Sequence, residues 1–187
     1  MRRRNQLFFL LALQTLLSGC ASVTLDTLRA ELRDGQGYLI ETVPFIPQRD
    51  YYCGPASLAM VLRYWGADAD QDAIASELFI KSIKGTLNFD LEFYARRQGF
   101  EARSFRGSLE EIKAHLRQNR PLIVFQDLGL GGYEIPHFAV LIGYNEARGE
   151  MIAHSGTTEY KVMSHQEFLR TWERRQRWTL LITPKTS

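Results

Sequence analysis

Gln48-Arg49-Asp50-Tyr51-Tyr52-Cys53-Gly54-Pro55-Ala56-Ser57-Leu58-Ala59-Met60-Val61-Leu62 is the stretch on which the fold turns. From Cys53 onward it predicts a helix, with Pro55 in the first turn, where its missing N–H costs nothing. Leu58, Leu62 and Trp65 fall on one face at 3.6-residue spacing, and Gly66 supplies the stop. A cysteine at such a helix start is placed for chemistry: the positive end of the helix and a neighbouring imidazolium lower a thiol's pKa toward the reactive thiolate. Gly54 permits close approach of a substrate, and the unpaired N–H groups of the first turn suit an oxyanion. Read alone, Cys53 is equally well a small core residue with a convenient turn.

Downstream, three more helices are expected: about Asp70 to Phe79, Leu87 to Gln98, and one opening at Ser108, whose spacing to Glu111 is that of a capping box. The second half changes to short β-rich runs: Leu122–Phe125, Phe138–Tyr144, Gly149–Ala153, Tyr160–Met163 and Trp178–Ile182. Ser164 and Glu167 cap one further helix. Helices first and an antiparallel sheet after define an α+β class. His137 follows the glycine-rich loop Gly129–Gly132 and Pro136 and opens the apolar run Phe138–Gly143, so it is the partner expected for Cys53; taken alone, a histidine there is more often structural. His115 and His165 read as surface or capping residues.

Upstream, Arg2, Arg3 and Arg4 precede an apolar run from Leu7 to Leu17 and the tetrad Leu17-Ser18-Gly19-Cys20. The run is too short for a hydrocarbon-spanning helix, which needs about 20 apolar residues, and its order is that of a secretory signal. The tetrad resembles the lipobox of bacterial lipoproteins, which implies a signal over residues 1–19, diacylglycerol on Cys20, and a tether of residues 20–37 before the domain at 38–187. Ala21 rather than aspartate after the cysteine implies outer-membrane sorting, facing the periplasm. The remaining 168 residues suit one domain. Whole-chain charge is +2, but three arginines lie in the signal, leaving 20 basic against 21 acidic residues, which gives no argument for a nucleic-acid partner. With Cys20 lipidated, Cys53 is unpaired and belongs to no disulfide framework. No metal or other cofactor is expected, because the four histidines and two cysteines show no ligand spacing.

The segment from Gln48 to Leu62, joined to Pro136-His137-Phe138-Ala139-Val140-Leu141-Ile142-Gly143-Tyr144, resembles the C39 peptidases and their C39-like relatives over roughly residues 43 to 183. The resemblance implies a papain-like fold, with Cys53 as nucleophile, His137 as general base and Gln48 as the oxyanion-hole side chain, whose amide donates hydrogen bonds without titrating. It also implies hydrolysis of a peptide or protein through an acyl-enzyme. The family's Asp-Pro pair after the histidine strand is replaced by Met151-Ile152-Ala153-His154-Ser155-Gly156. With a turn over Asn145–Gly149, His137 faces a residue between His154 and Thr157, so His154 or Ser155 is expected to accept from its Nδ1–H, with Asp127 as a further candidate. No transporter segments or ATP-binding motif accompany the domain, so bacteriocin-leader processing is not implied. Two alternatives stand beside the peptidase: a catalytically weak or inactive peptide-binding module, and a peptidoglycan peptidase of the NlpC/P60 type, against which Tyr52-Cys53-Gly54-Pro55 departs from that family's Asp-Cys-Ser-Gly.

Overall fold

The computed structural model describes residues 23–33 and 35–185; the signal and Cys20 lie outside them. In chain order the elements are α1 (Leu25–Glu31), β1 (Gly37–Leu39), α2 (Cys53–Tyr64), α3 (Gln71–Leu78), α4 (Asn88–Arg97), β2 (Phe100–Arg106), α5 (Leu109–Leu116), β3 (Leu122–Asp127), β4 (Pro136–Asn145), β5 (Glu150–Ser155), β6 (Thr158–Ser164), α6 (His165–Glu173) and β7 (Trp178–Pro184). This is the α+β arrangement expected. All strand pairings are antiparallel, in the order β2-β7-β3-β4-β5-β6, and β1 joins β4 beyond the end of β3. That junction is tight: a Cβ on Gly143 would stand 2.5 Å from the Tyr38 carbonyl oxygen, so only glycine fits.

Helix α2 is the axis of the molecule. Gly54 through Leu62 are all buried, with Leu58, Ala59 and Val61 at zero exposure, because α2 is packed between β4 on one side and α3 and α4 on the others. A helix apolar on every face is stable only in such a position. Its partly buried N-terminal residue, Cys53, therefore sits on a rigid rod driven into the core. Local capping agrees with the sequence: Ser108 Oγ accepts from Glu111 N at 3.1 Å, and Ser164 Oγ from Glu167 N at 3.1 Å.

The structure departs from the sequence reading at two places. The tether expected over residues 20–37 carries a docked helix: Leu28 of α1 is 2% exposed within the core, and Arg29–Glu41 and Arg148–Glu31 ion pairs tie the helix to the domain. One apolar residue per turn suffices to dock a short helix, and its charged faces masked that signal. Strand β2 was not foreseen, because Phe100-Glu101-Ala102-Arg103-Ser104-Phe105-Arg106 buries only Ala102 fully. It is an edge strand against β7, and charged edge strands lack a clean alternation.

Candidate active site

The first turn of α2 shapes the nucleophile. Tyr51, with φ 66°, turns the chain sharply into Tyr52, and no side chain caps the helix. Ala56 N–H is taken by Tyr52 O, and Pro55 has no N–H, so the free donors of the turn are those of Cys53 and Gly54. Both, together with the backbone of Phe138, the residue after His137, act to lower the thiol's pKa. The Phe138 ring also meets this turn, lying 3.4 Å from where a Cβ on Gly54 would stand. The start of β4 is thereby clamped to the nucleophile.

Cys53, His137 and Gln48 line one cleft of about 660 Å³, whose walls include Tyr51, Thr86 and Leu87. Gln48 is held by its backbone N–H donating to Gly156 O at 3.0 Å, and its Oε1 is buried without a partner. A Cβ on Gly156 would stand 3.8 Å from Gln48 Oε1 and 3.9 Å from His137 Cε1, so the amide and the imidazole converge on the same spot. The hydroxyl of Thr86 is likewise buried and unpartnered in this cleft. Thr86 carried no signal in the sequence, since a lone threonine in a turn has no pattern.

The residue that engages His137 is Ser155, with Oγ 2.9 Å from Nε2. Sheet geometry makes this choice. Ser155 stands opposite Ala139, on the face that His137 shares, whereas His154 stands opposite Val140 on the other face. His154 is corrected as a triad candidate: it is 1% exposed, its Nε2–H donates to Val43 O at 3.1 Å, and its Nδ1 accepts from Tyr160 N–H at 3.5 Å. Asp127 is also committed elsewhere, its Oδ1 accepting from Gly129 N–H at 2.9 Å and Ile135 N–H at 2.8 Å to close the base of the 128–135 loop. Those N–H groups, Ile135's foremost, hold its carboxyl below the usual range. The engaged nitrogen is Nε2 rather than the expected Nδ1.

Electrostatics differ from the expectation at Cys53. Burial pushes the thiol's pKa up despite the three backbone groups that lower it, and burial followed by the charge of Lys161 pushes His137 down to about 4. Desolvation penalises each charged form, and a serine, unlike a carboxylate, adds no negative charge to favour imidazolium. The resting pair is neutral thiol and neutral imidazole. His115 and His165 are half-buried, each with one ring nitrogen buried and unpartnered, and neither is a plain surface residue. Among the described residues no group of three or more His, Cys, Asp or Glu is placed to hold a metal ion.

An α+β domain whose central helix presents a cysteine at its N-terminus to a histidine on the neighbouring sheet has the architecture of papain-like peptidases. The family model for "Peptidase_C39 like family" matches residues 40–179, and the chain belongs to that family. Among solved structures it is similar to a Bacillus anthracis protein described as a C39-like peptidase, at 18% identity and TM-score 0.66, over 81% of this chain and 100% of that one. The peptidase domain of Streptococcus ComA, a bifunctional ABC transporter of a quorum-sensing pathway, aligns at 24% identity and TM-score 0.60, over 76% and 99%. A double-glycine-motif protease from an AMS/PCAT transporter, solved with its leader peptide, aligns at 22% identity and TM-score 0.59, over 77% and 93%. No curated protein matches. Family and fold together support a peptidase-type function.

Proposed function

We propose that the chain is a lipid-anchored cysteine peptidase of the periplasm that cleaves peptide bonds through a Cys53 acyl-enzyme. The observation that carries this reading is the cleft in which Cys53, His137 and Gln48 meet, with Ser155 on Nε2 of the imidazole. Sγ of Cys53 attacks the carbonyl carbon as its proton passes to His137, which suits a neutral pair: the base takes the proton during attack. The oxyanion accepts from the Cys53 backbone N–H and the Gln48 amide NH2. Collapse breaks the C–N bond, His137 donates its proton to the amine, and water then cleaves the thioester, regenerating the thiol.

A second reading, a peptide-binding module, draws on one feature: the neutral resting pair supported by a serine rather than a carboxylate. Mass-spectrometric search for new termini in a peptide mixture separates them. Cleavage by wild type that is lost in Cys53→Ala and in His137→Ala is the expected result; binding without cleavage by wild type would favour the module. Anchoring is tested alongside, since Cys20→Ser should abolish lipid labelling and release the protein from the membrane fraction; an unchanged membrane fraction would contradict it.

A further inference from the structure

Beside the catalytic cleft lies a second cavity, of about 470 Å³, and the two share Asn88, Phe125 and Arg175 as a common wall. Its lining holds three arginines, Arg106, Arg174 and Arg175, and no acidic residue. Arg175 is partly neutralised, by Glu134 at 2.9 Å and Asp127 at 4.0 Å. Arg106 has no carboxylate partner among the described residues, and Arg174 spends Nη1 only on the Gly129 carbonyl. The floor is aromatic. Phe125 stacks on Phe138 at 4.4 Å, and Trp178 packs edge-on against both rings, so one cluster separates the nucleophile from the arginines.

Two further donors point to a missing acceptor. Trp178 is 9% exposed, and its indole N–H has no partner among the described residues; Arg175 Nε is buried and likewise unpartnered among them. An indole N–H can only donate, and a guanidinium has no acceptor, so the ligand that satisfies this cavity brings oxygen atoms and negative charge.

We propose that this cavity is a substrate subsite for a carboxylate, through which the enzyme selects peptides carrying an acidic group at a fixed distance from the scissile bond. This rests on the peptidase reading, because a shared wall with the catalytic cleft lets one extended peptide occupy both. The guanidinium groups of Arg106 and Arg174 supply the charge, Trp178 Nε1–H the directed hydrogen bond, and the aromatic floor the apolar contact for the side-chain stem. The carboxylate comes either from Asp or Glu or from a peptide C-terminus.

The test uses the full chain in detergent, as Cys53→Ala, binding decapeptide mixtures. One position is fixed as Glu, Gln or Lys, the others are randomised over uncharged residues, and the C-terminus is free or amidated. The expected result is roughly tenfold enrichment of Glu over Gln at one or two adjacent positions, or of free over amidated termini, lost in Arg106→Gln/Arg174→Gln. Reversal to Arg106→Glu/Arg174→Glu should then favour Lys over Gln, which a purely structural role would not produce. Equal binding of Glu and Gln with equal binding of free and amidated termini, or a preference that survives both double variants, overturns the subsite. Cleavage by wild type is measured on the same mixtures. Acidic selection without cleavage refutes the peptidase and retains the subsite; cleavage without acidic selection does the reverse.

Discussion

At the residue scale, Gln48 and Cys53 make separable contributions. Alkylation of a thiol by iodoacetamide passes through no oxyanion, whereas a peptide aldehyde forms a tetrahedral adduct whose oxygen needs donors. Gln48→Ala should therefore weaken a peptide aldehyde by about 10²-fold while leaving the iodoacetamide rate within about twofold. Equal loss in both reactions would place Gln48 in structural support of the cleft instead. Cys53, His137 and Gln48 were singled out by the resemblance carried on Gln48–Leu62 and Pro136–Tyr144, and the fold brings the three to one cleft; read without it, Cys53 passes for a core residue and His137 for a structural one. The state of the thiol was not legible. Helix-end and imidazole effects are visible in sequence, but the desolvation that outweighs them at Cys53 is set by packing of residues far apart in the chain.

At the element scale, the choice between His154 and Ser155 hangs on one step of register in the β4–β5 hairpin. Loop length confined the pairing to a few positions, and alternation then decides which of two adjacent residues shares the face of His137. The bulge between Leu141 and Gly143, which shifts that register, left no mark in an apolar run. His154 instead closes the far side of the sheet, its ring packed against Phe45 and Tyr160. His154→Ala should cost about 2–4 kcal/mol of stability through a cavity and an orphaned Val43 carbonyl, with Cys53 alkylation in the folded protein unchanged. Chemical denaturation and alkylation rates check both halves; loss of alkylation without loss of stability would return His154 to the catalytic set. Strand β2, unseen in the sequence, supplies Arg106 to the second cavity, so the least legible element carries part of the proposed specificity.

At the scale of the whole molecule, all four histidines are held below their ordinary pKa, in each case by burial first. Unfolding restores them to about 6.5, so below that value the unfolded chain binds more protons. Their contribution is complete above about pH 7 and is lost as pH falls through 6.5 toward the folded values, about 4 for His137. Asp127 and Glu146, depressed in the fold by hydrogen bonds, add a further loss once carboxylates protonate. Melting temperature should fall by roughly 4 °C or more between pH 7 and pH 5, before carboxylates contribute much. Calorimetry across that window checks the sign, and a flat or rising profile would contradict the buried, neutral histidines. Fold class was readable at this scale because helix and strand patterns segregate along the chain, while α1, whose one fully buried side chain is Leu28, was not.

The central claim is a nucleophile–base pair made of Cys53 and His137. Its most direct measurement is the labelling rate of the purified protein by an activity-directed cysteine electrophile at pH 6.5, comparing wild type, Cys53→Ala and His137→Ala. Labelling of wild type that is absent in Cys53→Ala and at least about 10²-fold slower in His137→Ala is predicted, since the neutral thiol needs His137 to take its proton. Equal, slow labelling of wild type and His137→Ala would contradict the pair.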